Sequence, residues 1–187
     1  QRSDRGDTIR LAGTGTWLPL AKRLVQVYQA DEPTRSQLGV SRLIVHDSIG
    51  SGGGRRAIED GAIDIGLVSL RPDRELSMSC CRVIEIAVGA VVFAVDESLP
   101  IEELTEEEVL EIFNGRRNTW SNGVPIVPLL RERGDSAVRV ASRVIPGFSD
   151  AIERARGLGH WPMLLTDGAM GQALDTTPGA IGLYDLG

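Results

Sequence analysis

The residues of this sequence best suited to chemistry lie in three turns that are rich in glycine and hydroxyl side chains. One arginine, close to the third turn, joins them. The turns cover residues 13–17, 50–54 and 134–137, and each leads into a segment that we predict to be a helix. A helix N-terminus carries unpaired backbone N–H groups and the positive end of the helix dipole, so it favours an anion. Arg131 precedes the third turn, and its planar guanidinium suits a carboxylate or a phosphate. This combination predicts an oxyanion site.

Hydroxyls and backbone amides of these turns supply the many donors that a buried anion requires. Ser69, at the carboxyl end of a further predicted strand, is also a candidate, and Arg71 close behind it is a weaker one. Each turn taken singly has a structural interpretation as well, because Ser, Thr, Asp and Gly are preferred helix caps. We predict ligand contacts from these residues: Thr14, Thr16, Trp17, Ser51, Gly52, Ser69, Arg131, Asp135, Ser136 and Ala137.

Asp135 does not fit a site made only of donors. One interpretation is an N-cap for the helix that follows it. The other is an acceptor for the proton of a protonated oxyanion such as hydrogen phosphate, which would repel a fully ionised sulfate. The sequence leaves both interpretations open.

The sequence lacks the residues that nucleotide-binding, catalytic and metal sites require. The glycine-rich turns do not complete G-x-G-x-x-G, and no G-K-[ST] follows them. The histidines, His46 and His160, are interpreted as a strand-end residue and a loop residue, and no base–nucleophile pair or metal-ligand spacing is visible. We therefore predict no catalysis, no cofactor and no metal. The adjacent Cys80 and Cys81 leave the redox compartment open.

Composition bounds the class of protein. The 187 residues are 42% hydrophobic and 25% charged, which is typical of a globular protein. The net charge of −6 argues against a general nucleic-acid surface. No apolar run has the length of a membrane helix.

The elements that would position the turns alternate along the chain, which predicts an α/β fold with mainly parallel sheets and helices on both faces. Ligands of such sheets lie at the carboxyl ends of the strands. The run at 84–95 predicts a strand buried on both faces, and Thr105 with Glu108 predicts a capping box. Strands are predicted at 8–12, 43–46, 63–69, 84–95, 124–130, 163–165 and 180–183, and helices at 18–30, 105–113, 137–144 and 150–156, with two more ending near 60 and 174.

Six segments carry motifs that occur together in one family. They are G-T-W-L-P at 15–19, G-S-G-G at 50–53, D-I-G-L-V-S at 64–69, V-G-A-V-V-F-A-V at 88–95, L-T…I-F-N-G…W at 104–120 and P-G-A-I-G at 178–182. Through them the chain resembles the phosphate-binding proteins of ABC transporters, in the type II periplasmic binding-protein superfamily. The segment at 104–120 is the most specific match.

The resemblance implies a two-lobe clamp with a hinge of two crossing strands. Lobe 1 would comprise residues 1–84 plus 164–187, and lobe 2 residues 85–163. The cleft between the lobes would enclose inorganic phosphate or a similar oxyanion. The segment that usually follows the return strand is missing, which fits a compact variant or a shortened chain.

The resemblance also implies roles and partners. Thr16, Trp17, Ser51 and Arg131 match ligand contacts of the family. The protein would be extracytoplasmic, periplasmic or at the cell surface with a lipid anchor left open, and would serve an ABC permease or a membrane sensor. We expect a monomer that binds no nucleic acid.

Two positions depart from the family pattern. Ser69 stands where the family has the aspartate that accepts the phosphate proton, and residues 134–137 replace its G-S-G-T turn. We hypothesise that Asp135 has taken over the acceptor role lost at Ser69. Two alternatives stay open: an enzyme acting on a phosphorylated substrate, and a ligand-free protein-interaction module of the same fold.

Overall fold

Strands and helices alternate through the described part of the chain, residues 8–40, 42–69 and 81–186 of a computed structural model. Contacts divide the chain into Gln1–Ala87 and Val88–Gly187, which we call unit 1 and unit 2. Arg71 and Cys80, both noted in the sequence, lie outside the described residues.

Unit 1 contains a parallel three-stranded sheet in the order β2-β1-β3. One helix of the unit, α3, packs on β1 and β3, and another, α1, packs on β2. The elements are β1 Thr8–Gly13, α1 Leu18–Ala30, α2 Glu32–Leu38, β2 Arg42–Val45, α3 Gly50–Glu59 and β3 Ile65–Leu67. The predicted strands and helices of this region are confirmed, with small shifts at their ends.

Two glycines allow close backbone approach where β1, β3 and α3 meet. Gly13 has φ +152°, and a Cβ at this position would lie 2.0 Å from the Leu67 carbonyl oxygen. A Cβ on Gly54 would lie 2.9 Å from the Cα of Gly13. Because neither glycine has a side chain, the first turns of α3 lie directly against the end of β1.

Helix α2 was not predicted from the sequence, although its end signals are present. The Asp31 carboxylate accepts from the Thr34 amide at 3.4 Å and from the Thr34 hydroxyl at 2.6 Å. Pro33 lies in the first turn, and Gly39 ends the helix in the left-handed conformation. These are ordinary start and stop residues of a short helix.

Unit 2 contains a four-stranded sheet in the order β4-β7-β5-β6. Strand β7 runs antiparallel to β4 and parallel to β5, which is parallel to β6. The elements are β4 Val91–Val95, α4 Glu106–Phe113, β5 Val127–Arg131, α5 Ser136–Val144, α6 Phe148–Leu158, β6 Met163–Leu164, α7 Asp167–Thr176 and β7 Ala180–Asp185.

Both faces of this sheet are covered by helices. Leu130 of β5 belongs to the core cluster that includes α4, α5 and α6, whereas Leu129 belongs to the cluster of α7. This split follows from the alternation of side chains along a strand. On the first face the rings of Phe93, Phe113 and Phe148 pack with centroids 5.2 to 6.0 Å apart. The predicted α/β class, with mainly parallel pairing in the described residues, is confirmed.

The most specific sequence segment, at 104–120, forms structural contacts in unit 2. Thr105 and Glu108 form the predicted capping box at the start of α4. Ile112 and Phe113 are fully buried. The Trp120 indole N–H donates to the Gly179 carbonyl at 3.0 Å, so the segment is fixed to the turn that precedes β7.

The expected strand at 84–95 is shorter than predicted. Only Val91–Val95 is a strand, and residues 82–90 are exposed. Val88 is 87% exposed and Ile84 is 67% exposed, so the prediction of burial on both faces was wrong for this part. The physical reason is the length of the partner: β7 ends at Asp185, which pairs with Val91.

The contacts also differ from the expected division into lobes. The sequence predicts that residues 164–187 return to lobe 1, whereas contacts group all residues from Val88 onward in unit 2. Strand β7 is hydrogen-bonded on both edges, to β4 and to β5, and α7 packs on it. A strand paired on both edges is fixed within its sheet.

Asp96 connects the end of β4 to the turn before β7. Its carboxylate accepts from the backbone N–H of Ser98 at 3.0 Å and of Gly179 at 2.9 Å. These backbone hydrogen bonds, the one from Ser98 first, hold the pKa of Asp96 below its ordinary value of 3.8.

We predict that Asp96→Asn reduces the acid sensitivity of unit 2. Because the folded-state pKa lies below the unfolded one, ionised Asp96 stabilises the fold above pH 3.8, and this contribution is lost as the pH falls through the folded-state pKa. Urea unfolding of both proteins from about pH 7 to about pH 2 measures the difference in unfolding free energy, which should shrink on acidification. The exposed neighbour Glu97→Gln is the control, and a difference that stays constant with pH would contradict the prediction.

Candidate functional site

Four hydroxyl side chains lie together at the carboxyl ends of β1 and β3 in unit 1. The Ser69 hydroxyl donates to Thr14 Oγ1 at 2.9 Å, and the Thr14 hydroxyl donates to Thr16 Oγ1 at 3.4 Å. The Ser69 backbone N–H donates to Ser51 Oγ at 3.2 Å. Thr14 is buried and the other three are half-buried. We call Thr14, Thr16, Ser51 and Ser69 the hydroxyl cluster, and all four were predicted from the sequence as site residues.

The N-terminus of α3 begins beside this cluster without a side-chain cap. Ile49 is the N-cap residue, and its own amide is held by the Gly13 carbonyl at 3.0 Å. The Gly50 amide donates to Ser48 Oγ at 3.4 Å. Within the described residues no side chain accepts from the amides of Ser51 and Gly52. The hydroxyl cluster therefore lies next to unpaired amides and the positive end of a helix dipole.

Trp17 has a less direct place in this site. It ends the 3-10 turn Gly15–Trp17 and is the N-cap residue of α1. Its side chain is half-buried. Its link to the hydroxyl cluster is its position in the chain, next to Thr16.

The corresponding turn of unit 2 is occupied by its own side chain. Asp135 Oδ1 accepts from the backbone N–H of Ala137 at 2.8 Å and of Val138 at 3.4 Å. Asp135 Oδ2 accepts from Arg131 Nε at 3.1 Å and from Arg131 Nη2 at 2.9 Å. A carboxylate offers about four lone-pair positions. Asp135 is therefore the N-cap of α5, and its hydrogen bonds leave no position for a ligand proton.

A second carboxylate, from the first turn of α7, completes this group. Asp167 Oδ1 lies 3.2 Å from Arg131 Nη1. The side chains of Arg131, Asp135 and Asp167 are only 3%, 9% and 11% exposed. The contact has ion-pair distance but not hydrogen-bond geometry, because Arg131 Nη1 and both Asp167 oxygens form no hydrogen bond among the described residues. We call these three residues the arginine triad, and its formal charge is negative.

Arg156 fixes the backbone that carries the triad. From α6 it donates through Nε and Nη2 to the Arg131 carbonyl at 3.1 and 2.6 Å, and through Nη2 to the Glu132 carbonyl at 2.9 Å. Gly134, with φ +78°, turns the chain toward α5. Ser136 and Ala137, both predicted as ligand contacts, are buried in the first turn of that helix.

Asp167 and Arg156 were not predicted as site residues. The sequence marks Asp167 as part of a helix start at 166–168, a candidate fourth turn of the same kind, but no motif connects it with Arg131. Arg156 acts on carbonyls 24 and 25 residues away in the chain. No local pattern signals such a long-range contact.

We predict that Arg131→Gln is strongly destabilising. It would leave the carboxylates of Asp135 and Asp167 buried without their cation, which costs about 3–5 kcal/mol of unfolding free energy. Arg133→Gln is the matched control, because Arg133 is 79% exposed and pairs with Glu153 at the surface, and its loss should cost less than about 1 kcal/mol. Denaturant unfolding measures both values, and equal effects would show that the triad adds nothing special.

Among the described residues no group of three or more His, Cys, Asp or Glu side chains is arranged to hold a metal ion. None of the described helices combines the length and the hydropathy needed to cross a membrane.

Comparison with known proteins places the fold. A candidate phosphate ABC transporter substrate-binding protein from Clostridium perfringens, solved with bound phosphate, matches with a TM-score of 0.75 and 17% identity, over 95% of this chain and 70% of that one. An ABC-type phosphate transport receptor from Vibrio cholerae matches with a TM-score of 0.60 and 16% identity, over the same shares of the two chains. At these identities the likeness is one of fold.

A family model described as a PBP superfamily domain matches residues 1–187, which is the whole chain. This agrees with the resemblance carried by the motifs of the sequence. The chain belongs to the PBP superfamily.

Proposed function

We propose that this chain is an extracytoplasmic solute-binding protein that captures an inorganic oxyanion, with phosphate as the first candidate. It would deliver the anion to an ABC permease or report it to a membrane sensor. The observation that carries the proposal is the hydroxyl cluster beside the uncapped N-terminus of α3. Membership in the PBP superfamily and the bound phosphate of the Clostridium perfringens protein support it.

The chemistry of the hydroxyl cluster suits an oxyanion that carries a proton. A hydroxyl has one donor and two acceptor positions. The hydroxyls of Ser69 and Thr14 donate within the cluster, so Thr16, the last of the series, can donate to a phosphate oxygen, and Ser69 can accept from the P–OH group. The amides of Ser51 and Gly52 add donors that are already oriented by the helix. None of these groups carries a charge, so recognition rests on hydrogen bonds and on the dipole of α3.

Binding is favoured over catalysis by the neighbours of the hydroxyls. Among the described residues neither His46 nor His160 is hydrogen-bonded to the hydroxyl cluster, so neither histidine activates a nucleophile there. The family match is to a binding-protein fold. An enzyme acting on a phosphorylated substrate is thus the weaker candidate.

A second candidate is a ligand-free protein-interaction module. The occupied end of α5 favours it, because Asp135 already uses the amides and the Arg131 donors that an anion would need in unit 2. Titration of the purified protein with phosphate, sulfate, molybdate and small carboxylates separates the two candidates. An anion that binds the folded state raises its melting temperature by mass action, whereas an interaction module would respond to none of them.

We predict that Ser51→Ala weakens phosphate binding by about tenfold to a hundredfold, the value of one hydrogen bond to a charged ligand. Isothermal titration calorimetry measures the dissociation constant. The control is Ser36→Ala, which removes the same hydroxyl from an exposed position in α2. Unchanged affinity in Ser51→Ala, or an absence of any phosphate response in the wild type, would contradict the proposed site.

A further inference from the structure

We propose that the Asp135 carboxylate is a built-in anion that occupies the N-terminal end of α5 and the guanidinium of Arg131, and so weakens the binding of an external oxyanion. This inference rests on the proposed function, since it concerns the affinity of the chain for the same class of ligand. It assigns to Asp135 a role opposite to that of a ligand contact.

The first support is the match between the bonds of Asp135 and those of a bound oxyanion. Its two oxygens take two amides of the first turn of α5 and two donors of Arg131, at 2.8 to 3.4 Å. Helix-end amides and an arginine fork are the donors that proteins use for phosphate and carboxylate. An internal carboxylate bound in this way competes with any external anion for the same donors, and its local concentration is fixed by the chain.

The second support is the charge balance of the arginine triad. Arg131 is 3% exposed and lies between two carboxylates whose side chains are 9% and 11% exposed. A cation with two buried anions leaves a local excess of negative charge, which repels a further anion where water screens little. With Asp135 replaced by a neutral residue, Arg131 and Asp167 would balance, and the amides of Ala137 and Val138 would lose their carboxylate acceptor.

The third support is a donor of the triad that has an ion-pair contact with Asp167 but no hydrogen bond. Arg131 Nη1 is buried and forms no hydrogen bond among the described residues. A buried donor without a hydrogen bond is unusual in a native structure. Replacing Asp135 would release Nε and Nη2 next to this Nη1 group, so the guanidinium would then have three nitrogens with donors for an oxyanion.

The two roles considered for Asp135 predict opposite changes in phosphate affinity when its carboxylate is removed. If Asp135 accepted the proton of the ligand, its removal would weaken phosphate binding. If it is a built-in anion, its removal tightens phosphate binding. Four hydrogen bonds already use the lone pairs of Asp135, and this favours tighter phosphate binding when it is removed.

Asp135→Ser is the variant that separates charge from capping, because Ser is as good an N-cap as Asp. We expect inorganic phosphate to bind Asp135→Ser at least about tenfold more tightly than the wild type by calorimetry, since several charge-assisted donors are released. Asp135→Asn, which keeps the shape and removes the charge, should change in the same direction. It also decides the outcome if Asp135→Ser does not fold.

Two controls complete the experiment. Asp31→Ser removes the same charge from the N-cap of α2 in unit 1, and its affinity for phosphate should equal that of the wild type. The double variant Asp135→Ser with Arg131→Gln should lose the gain, because the released guanidinium is then absent.

The outcomes distinguish this inference from the proposed function. The wild-type titration alone decides whether the native chain binds phosphate. Tighter binding by Asp135→Ser supports the built-in anion, even if the wild type does not bind. Equal or weaker binding by both Asp135 variants, or no binding by any protein, overturns it.

Discussion

The contact on which unit 2 depends is the buried guanidinium of Arg131 between the carboxylates of Asp135 and Asp167. It joins the end of β5 to the first turns of α5 and α7, which lie on opposite faces of the sheet. Arg156 fixes the backbone of the same turn from α6. Because a buried charge is tolerated only when it is paired, these elements hold their positions together. The same three side chains that order the turn between β5 and α5 also set the negative charge around it.

The two units use the same local chemistry with opposite results. In unit 1, α3 begins with Gly50 and Ser51, and its N-cap residue, Ile49, has no side chain that can accept from the helix amides. In unit 2 the turn before α5 contains an aspartate, and that carboxylate takes the amides of the helix. One carboxylate therefore separates a helix end without a side-chain cap from one whose amides already have an anionic acceptor. The difference lies in a side chain and not in the fold.

Elements that carry local signals could be predicted from the sequence, whereas long-range pairings could not. The periodicity of apolar residues and the caps gave most helices and strands, including the Thr105 capping box, and the glycine turns led to the hydroxyl cluster. The strand at 84–95 was predicted too long, because the length of a strand is set by its partner, here β7. Asp167 and Arg156 escaped prediction because their partners are distant in sequence. Apolar pattern alone carries no information about such pairs.

The position of β7 has a consequence for biosynthesis. This strand lies between β4 and β5 in the sheet, although it is made after every other element described in unit 2. While the chain emerges from the ribosome, β4 and β5 do not pair with each other. Their facing edges stay open until residues 180–185 are made. Open strand edges are templates for pairing with other chains. Closure of the unit 2 sheet therefore depends on late, non-local pairing, and the facing edges of β4 and β5 can pair with other chains until it occurs.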